Sequence, residues 1–140
     1  MSTPEKIASN WKKLPEPLRK KVILSAIHGL PVSRAVSDHL IALGRLSGGL
    51  PWKQHVGAIG ELLRRSPATI KRRNKATVDS GYLQVISRRR PGIKSCDWNE
   101  YRLNVRRILE DGYSVAPAQV QKEVEQALTC EASKIKPAQN

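Results

Sequence analysis

Two dense clusters of basic side chains are the most chemically distinctive feature of this chain. Residues 71–75 hold four cations, residues 88–94 hold four more, and a short apolar run at residues 82–86 separates them. Ammonium and guanidinium groups bind phosphate, and a guanidinium can also donate two parallel hydrogen bonds to a guanine edge. The chemistry that these clusters favour is therefore recognition of a nucleic acid.

The charge of the whole chain supports this interpretation. Its 140 residues carry 25 Lys and Arg against 12 Asp and Glu, for a formal net charge of +13. Residues 64–107 hold 13 of these cations and three of the acids, and residues 64–75 contain no acid. Because such an excess destabilises a fold through self-repulsion, it indicates a polyanionic partner, either nucleic acid or an anionic membrane surface.

Other features of the sequence favour a cytoplasmic protein with no membrane partner. No segment approaches the roughly 20 apolar residues that span a bilayer. Residues 1–13 lack the apolar core of a signal peptide. Cys96 and Cys130 stand in unrelated contexts, which argues against a disulfide framework. We therefore expect both thiols to be reduced. With a membrane partner disfavoured, the basic charge points to double-stranded DNA as the partner.

Neither catalytic nor metal-binding residues form a recognisable pattern. The sequence has no glycine-rich phosphate loop, no paired carboxylates in an apolar setting and no cluster of serine, histidine and aspartate. His28, His39 and His55 fall one to a helix without metal-ligand spacing, and the cysteines complete no zinc pattern. We expect no cofactor and no metal, and a protein that is not an enzyme.

The elements that must position the basic clusters can be read from periodicity. Apolar positions recur at helical spacing in three segments, which are residues 18–30, 32–43 and 56–63. Gly48 and Gly49 end the second helix. Ser66 and Pro67 begin a fourth helix at residues 66–80, because serine caps the free amides of a first turn and proline is tolerated there.

A β-hairpin is predicted around the second cluster. Residues 82–86 and residues 97–105 have the β-branched and aromatic content of strands. The basic loop between them is broken by Pro91 and Gly92, which indicates a hairpin tip. The two clusters would then be two contacts with one duplex, held apart by a strand.

The ends of the chain are expected to be looser. Residues 1–17 are interpreted as a flexible basic arm and residues 131–140 as a disordered tail. The C-terminal extension at residues 106–130 contains an amphipathic helix with Val120 and Val124 on one face. That face either packs on the N-terminal helix of the same chain or forms a homodimer contact.

The stretch VGAIGELLRRSPATIKRRNKATVDSGYLQVISRRRPGIKSCDWNEYRL resembles the winged helix-turn-helix domains of bacterial, phage and plasmid regulators and replication proteins. The shared pattern is a short helix, a serine-started basic helix, a glycine with an apolar strand, a basic wing and a closing strand. Three residues match the closing strand, which are Asn99, Tyr101 and Leu103. The resemblance spans residues 32–105, within a domain that we place at residues 18–105.

The resemblance implies a mainly α fold with a small β-hairpin, a winged helix-turn-helix with extra N- and C-terminal helices. It also implies a recognition helix at residues 66–80 in the major groove and a wing at residues 87–96 on neighbouring phosphate. The residues expected at base edges or phosphate are Ser66, Pro67, Ala68, Thr69, Lys71, Arg72 and Lys75. The residues expected in the wing are Arg88, Arg89, Arg90 and Lys94.

Two features depart from the family pattern. Asn74 and Thr77 stand at helix positions where leucine normally packs inward. Gly57 and Gly60 weaken the preceding helix by roughly 1 kcal/mol each relative to alanine. Either the two helices pack unusually closely, or the helical register is shifted by one residue.

These expectations combine into one leading function and two alternatives. The leading function is sequence-specific binding of double-stranded DNA by a homodimeric transcriptional regulator that acts by operator occupancy. One alternative is a plasmid or phage replication-initiation or partition accessory protein, which binds origin repeats and recruits a protein partner through the C-terminal helix. The other is a non-specific nucleic-acid-binding protein, whose affinity would fall steeply with salt and vary little with sequence.

Overall fold

The computed structural model describes residues 3–87 and 98–135, which are mainly helical with a small antiparallel sheet of three strands. The helices in these ranges are α1 Thr3–Ser9, α2 Glu16–His28, α3 Arg34–Ser47, α4 Val56–Leu63, α5 Pro67–Asp79, α6 Val105–Gly112 and α7 Ala118–Ile135, and the strands are β1 Trp52–His55, β2 Leu83–Ser87 and β3 Trp98–Leu103. Within these residues, each helix is too short or too polar to cross a membrane.

The chain divides into two compact units. The first combines Met1–Pro31 with Val105–Asn140, and the second is Val32–Asn104. This division differs from the expected domain at residues 18–105 at its start, because α2 packs with α6 and α7 in the first unit. The second unit coincides, to within one residue, with the span of the winged helix-turn-helix resemblance.

The N-terminal segment is folded into the first unit. Helix α1 packs on α6, and a 3-10 turn at Trp11–Lys13 follows it. Ile7, Trp11 and Leu14 are all buried. Residues 3–14 thus differ from the expected flexible arm at residues 1–17, since three apolar side chains at a spacing of four and three are buried in an otherwise polar segment.

Helix α7 packs against α2 in the same unit. Val120 and Val124 are buried, and Lys21 of α2 lies 3.5 Å from the carboxylate of Glu123. This packing agrees with the first of the two alternatives for the amphipathic face, which is contact within the chain. The helix continues to Ile135, which differs from the tail expected at residues 131–140 over its first five residues, and residues 136–140 lie outside the described ranges.

The second unit begins with α3, whose ends are set by local signals. Ser33 caps the first turn, where its Oγ accepts a hydrogen bond from the backbone N–H of Val36 at 3.3 Å. Gly48 ends the helix in the left-handed region, with φ of 61°. Val36, Leu40 and Leu43 are buried along one face, as the periodicity predicted.

The sheet of the second unit has β3 at its centre, between β1 and β2. Tyr101 of β3 lies opposite Trp52 of β1 and Val85 of β2. The two hairpin strands were predicted, and both are confirmed to within two residues. Strand β1 was not predicted, because its four residues Trp52–His55 contain one apolar side chain and show no alternation.

Candidate nucleic-acid interface

The N-terminus of α5 is fixed by the signals expected from the sequence. The Oγ of Ser66 accepts a hydrogen bond from the backbone N–H of Thr69 at 3.2 Å, and Pro67 occupies the first helical position. These residues satisfy or remove two of the orphan N–H groups of the first turn. Helix α5 therefore begins where the sequence predicted, and the phase of its two faces follows from this start.

One face of α5 is buried. Ile70, Asn74 and Thr77 recur at spacings of four and three, are at most 6% exposed, and lie where α5 packs against α3, α4 and β2. A helix places residues at these spacings on one side. The helical register assumed from the sequence is therefore correct, and α5 does bury polar side chains where leucine is usual.

The opposite face of α5 carries most of the residues expected to contact DNA. Ala68, Lys71, Arg72 and Lys75 are exposed on this face, Ser66 is exposed at the N-terminus of the helix, and Thr69 is half-buried. The face from Ala68 to Lys75 extends about 10 Å along the axis, at 1.5 Å per residue. The structure thus brings four of these six residues together on one side of one helix.

The cations of this face differ from those of the first unit in their partners. In the first unit, ion pairs join Lys20 to Glu16 at 3.2 Å and Arg106 to Glu110 at 3.1 Å. Among the residues that the structure describes, no carboxylate pairs with Arg72 or Lys75. The charges of Arg72 and Lys75 are therefore not offset by a paired carboxylate in these ranges, which favours an anionic ligand.

Arg72 is oriented along the helix by a chain of side-chain hydrogen bonds. The Oγ atom of Ser66 lies 2.9 Å from the Oγ1 atom of Thr69, and Nη2 of Arg72 donates to the same Oγ1 at 3.4 Å. The guanidinium therefore points toward the N-terminus of α5. A guanidinium has five N–H donors, so this weak bond leaves the group able to make a two-pronged contact.

The turn between α4 and α5 is unusually tight. The backbone N–H of Arg65 donates to the carbonyl of Gly60 at 2.8 Å, and Arg64 adopts φ of 54°. A Cβ atom at Gly60 would lie 2.6 Å from the carbonyl oxygen of Arg65. Glycine is needed at position 60 because the turn approaches the helix closely, which explains Gly60 and not Gly57.

A buried hydrogen-bond network explains the departure from the family pattern at Asn74. Its members, here called the His39 network, are His39, Asn74, Asn99 and Tyr101. Nε2 of His39 lies 2.7 Å from Oδ1 of Asn74, and the hydroxyl of Tyr101 accepts from Asn74 Nδ2 at 3.3 Å and from Asn99 Nδ2 at 3.2 Å. Trp52 stacks on the Tyr101 ring with centroids 4.9 Å apart. The network joins α3, α5 and β3, and the inward asparagine of α5 is its central member.

The surroundings of His39 favour its neutral form. Burial lowers the pKa of His39, the Asn74 hydrogen bond opposes this shift in part, and the charge of Arg73 adds to it. Because Asn74 Nδ2 donates to Tyr101, Oδ1 must accept, and the proton of the neutral ring is on Nε2. Nδ1 is then buried without a hydrogen-bond partner in the described structure. In the same ranges, no three metal-ligating side chains come together.

Sequence reasoning located some of these residues and missed others. Arg88, Arg89, Arg90 and Lys94 lie outside the described residues. Arg64 and Arg65 are exposed at the start of α5, and the charge count was the only sequence signal for them. The inward asparagine was noticed in the sequence, but its partners were not.

No protein-family model, curated protein or solved structure matches this chain. The candidate interface is therefore defined by its own geometry and charge.

Proposed function

We propose that this protein is a winged helix-turn-helix regulator that binds double-stranded DNA sequence-specifically and acts by occupying an operator. The order of elements supports the proposal. Helix α4, a tight turn, helix α5 and the hairpin of β2 and β3 follow one another as in the family pattern. Strand β1 adds a third strand to that hairpin.

The observation that carries the proposal is the division of α5 into a buried face, hydrogen-bonded to its neighbours, and an exposed face of cations, two of which, Arg72 and Lys75, pair with no carboxylate among the described residues. Helix α5 has 13 residues and is therefore about 20 Å long. With its side chains a helix is about 10–12 Å wide, which suits a major groove about 12 Å wide. Because the buried face holds α5 in place, its exposed cations project from a fixed backbone. Hydrogen bonds to base edges require such fixed positions.

The proposed contacts differ in what they contribute. Lys71, Arg72 and Lys75 would meet base edges, where a two-pronged bond discriminates between bases by about 1–3 kcal/mol. Ser66 or Thr69 would meet phosphate, which adds affinity without sequence choice. The arginines of the wing are assigned to phosphate as well.

Selection from a pool of genomic duplex fragments at about physiological salt tests the proposal, because non-specific electrostatic binding is weak there. Enrichment of one short motif is the expected result. Equal retention of all fragments would instead favour the non-specific alternative. The position and arrangement of the motif then distinguish the two sequence-specific hypotheses. A lone palindrome over a promoter supports transcriptional regulation, and an array of direct repeats supports replication or partition.

Single-charge variants test the interface itself. Lys71→Ala is expected to lower the preference for the selected motif, whereas Arg89→Ala is expected to weaken all duplexes equally. Lys20→Ala is the matched control, since it removes one positive charge from an ion pair in the first unit. Equal losses in all three variants would show that total charge, and not the α5 face, determines binding.

A further inference from the structure

We propose that the His39 network positions α5 on the DNA, so that Asn74 determines sequence discrimination without contacting a base. The inference rests on the proposed DNA-binding function and deepens it. It assigns a role to four buried polar residues, none of which belongs to the cationic face.

The geometry of Asn74 supports this role. Its Oδ1 atom is hydrogen-bonded to α3 through His39, and its Nδ2 atom is hydrogen-bonded to β3 through Tyr101. Two directional bonds from opposite sides of one amide constrain both the rotation of α5 about its axis and its position along that axis. An apolar side chain would impose no such constraint, because burial of apolar surface is non-directional.

Small rotations of α5 would matter more for base contacts than for phosphate contacts. A side-chain surface at about 5–6 Å from the helix axis moves by about 1 Å for a rotation of 10°. Hydrogen bonds to base edges have a usable range of about 0.5 Å in length, whereas attraction to phosphate changes slowly with distance. Loss of the network should therefore lower discrimination and leave non-specific affinity nearly unchanged.

Helix α5 also contains a control residue, which is a buried polar side chain with no side-chain hydrogen bond to another element. Thr77 is fully buried on the same face as Asn74. Its hydroxyl donates to the carbonyl of Arg73 at 2.7 Å, within the same helix. Thr77→Val therefore removes a buried hydroxyl of similar volume without removing a bond between α5 and its neighbours.

The main variant is the double substitution His39→Leu and Asn74→Leu in the full chain. Replacing both partners by apolar groups avoids leaving one of them buried and unpaired. Tyr101 keeps its bond from Asn99. The experiment measures the discrimination ratio, which is the dissociation constant of a scrambled duplex divided by that of a duplex of the same composition that carries the selected motif. Both constants are measured at a temperature well below the unfolding midpoint of each variant.

The expected result is a fall of that ratio by about tenfold or more, the loss of one two-pronged base contact, at unchanged scrambled-duplex affinity. His39→Gln should retain the ratio, because the glutamine amide nitrogen can take the place of the Nε2 donor. Thr77→Val should retain it as well. A folded double variant with an undiminished ratio, or an equal fall in Thr77→Val, would overturn the inference.

Tyr101→Phe keeps the test decisive if the double variant does not fold. It deletes only the hydroxyl that accepts from Asn74 and Asn99, and the ring stacked on Trp52 remains. A lower ratio supports the positioning role, and an unchanged ratio overturns it. If the wild-type chain selects no motif, the proposed function and this inference fail together; if it does and the variants match it, only this inference fails.

Discussion

His39 and Asn74 are 35 residues apart in the sequence, yet a hydrogen bond of 2.7 Å between Nε2 and Oδ1 joins them in the core of the second unit. The bond connects α3 to α5 on the face opposite the cations. One side of α5 is thus fixed by directional polar contacts, while the other side presents Lys71, Arg72 and Lys75 to solvent. Packing and charge are separated on a single helix.

The His39 network should make stability depend on pH. Burial lowers the pKa of His39 below its ordinary value of 6.5, so the unfolded chain binds this proton more readily than the folded chain. The contribution of neutral His39 to the free energy of unfolding is fully present above pH 6.5. It decreases as the pH falls from 6.5 toward the lower pKa that His39 has in the folded chain. Its slope is at most about 1.4 kcal/mol per pH unit from this one group.

Urea unfolding at about pH 7.5 and about pH 5.5 measures this dependence, because the two values lie on either side of the unfolded pKa. His39→Gln should reduce the loss of stability between them. His28→Gln is the control, since His28 is exposed. An equal pH dependence in wild type and His39→Gln would contradict the assignment of this proton to His39.

Gly60→Ala should destabilise the second unit, although helix propensity alone predicts stabilisation by about 1 kcal/mol. The added Cβ would lie 2.6 Å from the backbone carbonyl of Arg65, and overpacking against backbone costs about 1–3 kcal/mol. Ala76→Gly at an exposed position of α5 calibrates the propensity scale. Chemical denaturation of both variants gives the sign of the change in the free energy of unfolding. A Gly60→Ala variant more stable than wild type would show that the turn between α4 and α5 has room for a Cβ atom.

The parts of the fold that the sequence predicted depend on local signals. Ser66 and Pro67 define the start of α5, and the spacing of Ile70, Asn74 and Thr77 defines its buried face. Each of these signals acts within one or two helical turns, so the neighbouring residues in the sequence are enough to identify it. The exposed cationic face of α5 could be predicted because it is what remains after the buried face has been assigned.

The parts that were missed depend on contacts between distant residues. Strand β1 exists because Trp52 pairs with Tyr101, 49 residues away along the chain, and its own four residues have no strand pattern. The partners of Asn74 likewise lie 35 and 27 residues away. The folded N-terminal segment was missed because its buried apolar residues, Ile7 in α1 and Trp11 and Leu14 after it, stand in an otherwise polar stretch. Nothing in the local sequence specifies such pairings.

Val124→Ala should lower stability without changing the oligomeric state. Val124 is fully buried where α7 packs on α2, and burial of a valine side chain stabilises by about 1.5–3 kcal/mol. Unfolding curves and sedimentation equilibrium measure the two effects separately. Gln126→Ala, at an exposed position of the same helix, is the control. A lower mass at unchanged stability would instead assign this face to a homodimer contact.

Arg72→Lys should lower base discrimination while preserving the salt dependence of binding. Lysine keeps the positive charge, so the number of counterions released on binding should not change. It lacks the planar fork of a guanidinium and cannot make the same two-pronged bond to guanine. The preference at one base position should fall by about 1–3 kcal/mol.

Arg73→Lys is the matched control for this substitution, because it makes the same chemical change one residue away at a half-buried position. We measure discrimination by binding Arg72→Lys and Arg73→Lys to a set of duplexes that differ from the selected motif at single positions. Titration at several salt concentrations gives the slope of the logarithm of the binding constant against the logarithm of the salt concentration. We expect the loss at one position of the motif in Arg72→Lys alone. No loss at any position in Arg72→Lys would mean that Arg72 acts through phosphate and that another side chain of α5 reads the base. Equal losses in both variants would mean that the effect does not depend on a base contact of Arg72.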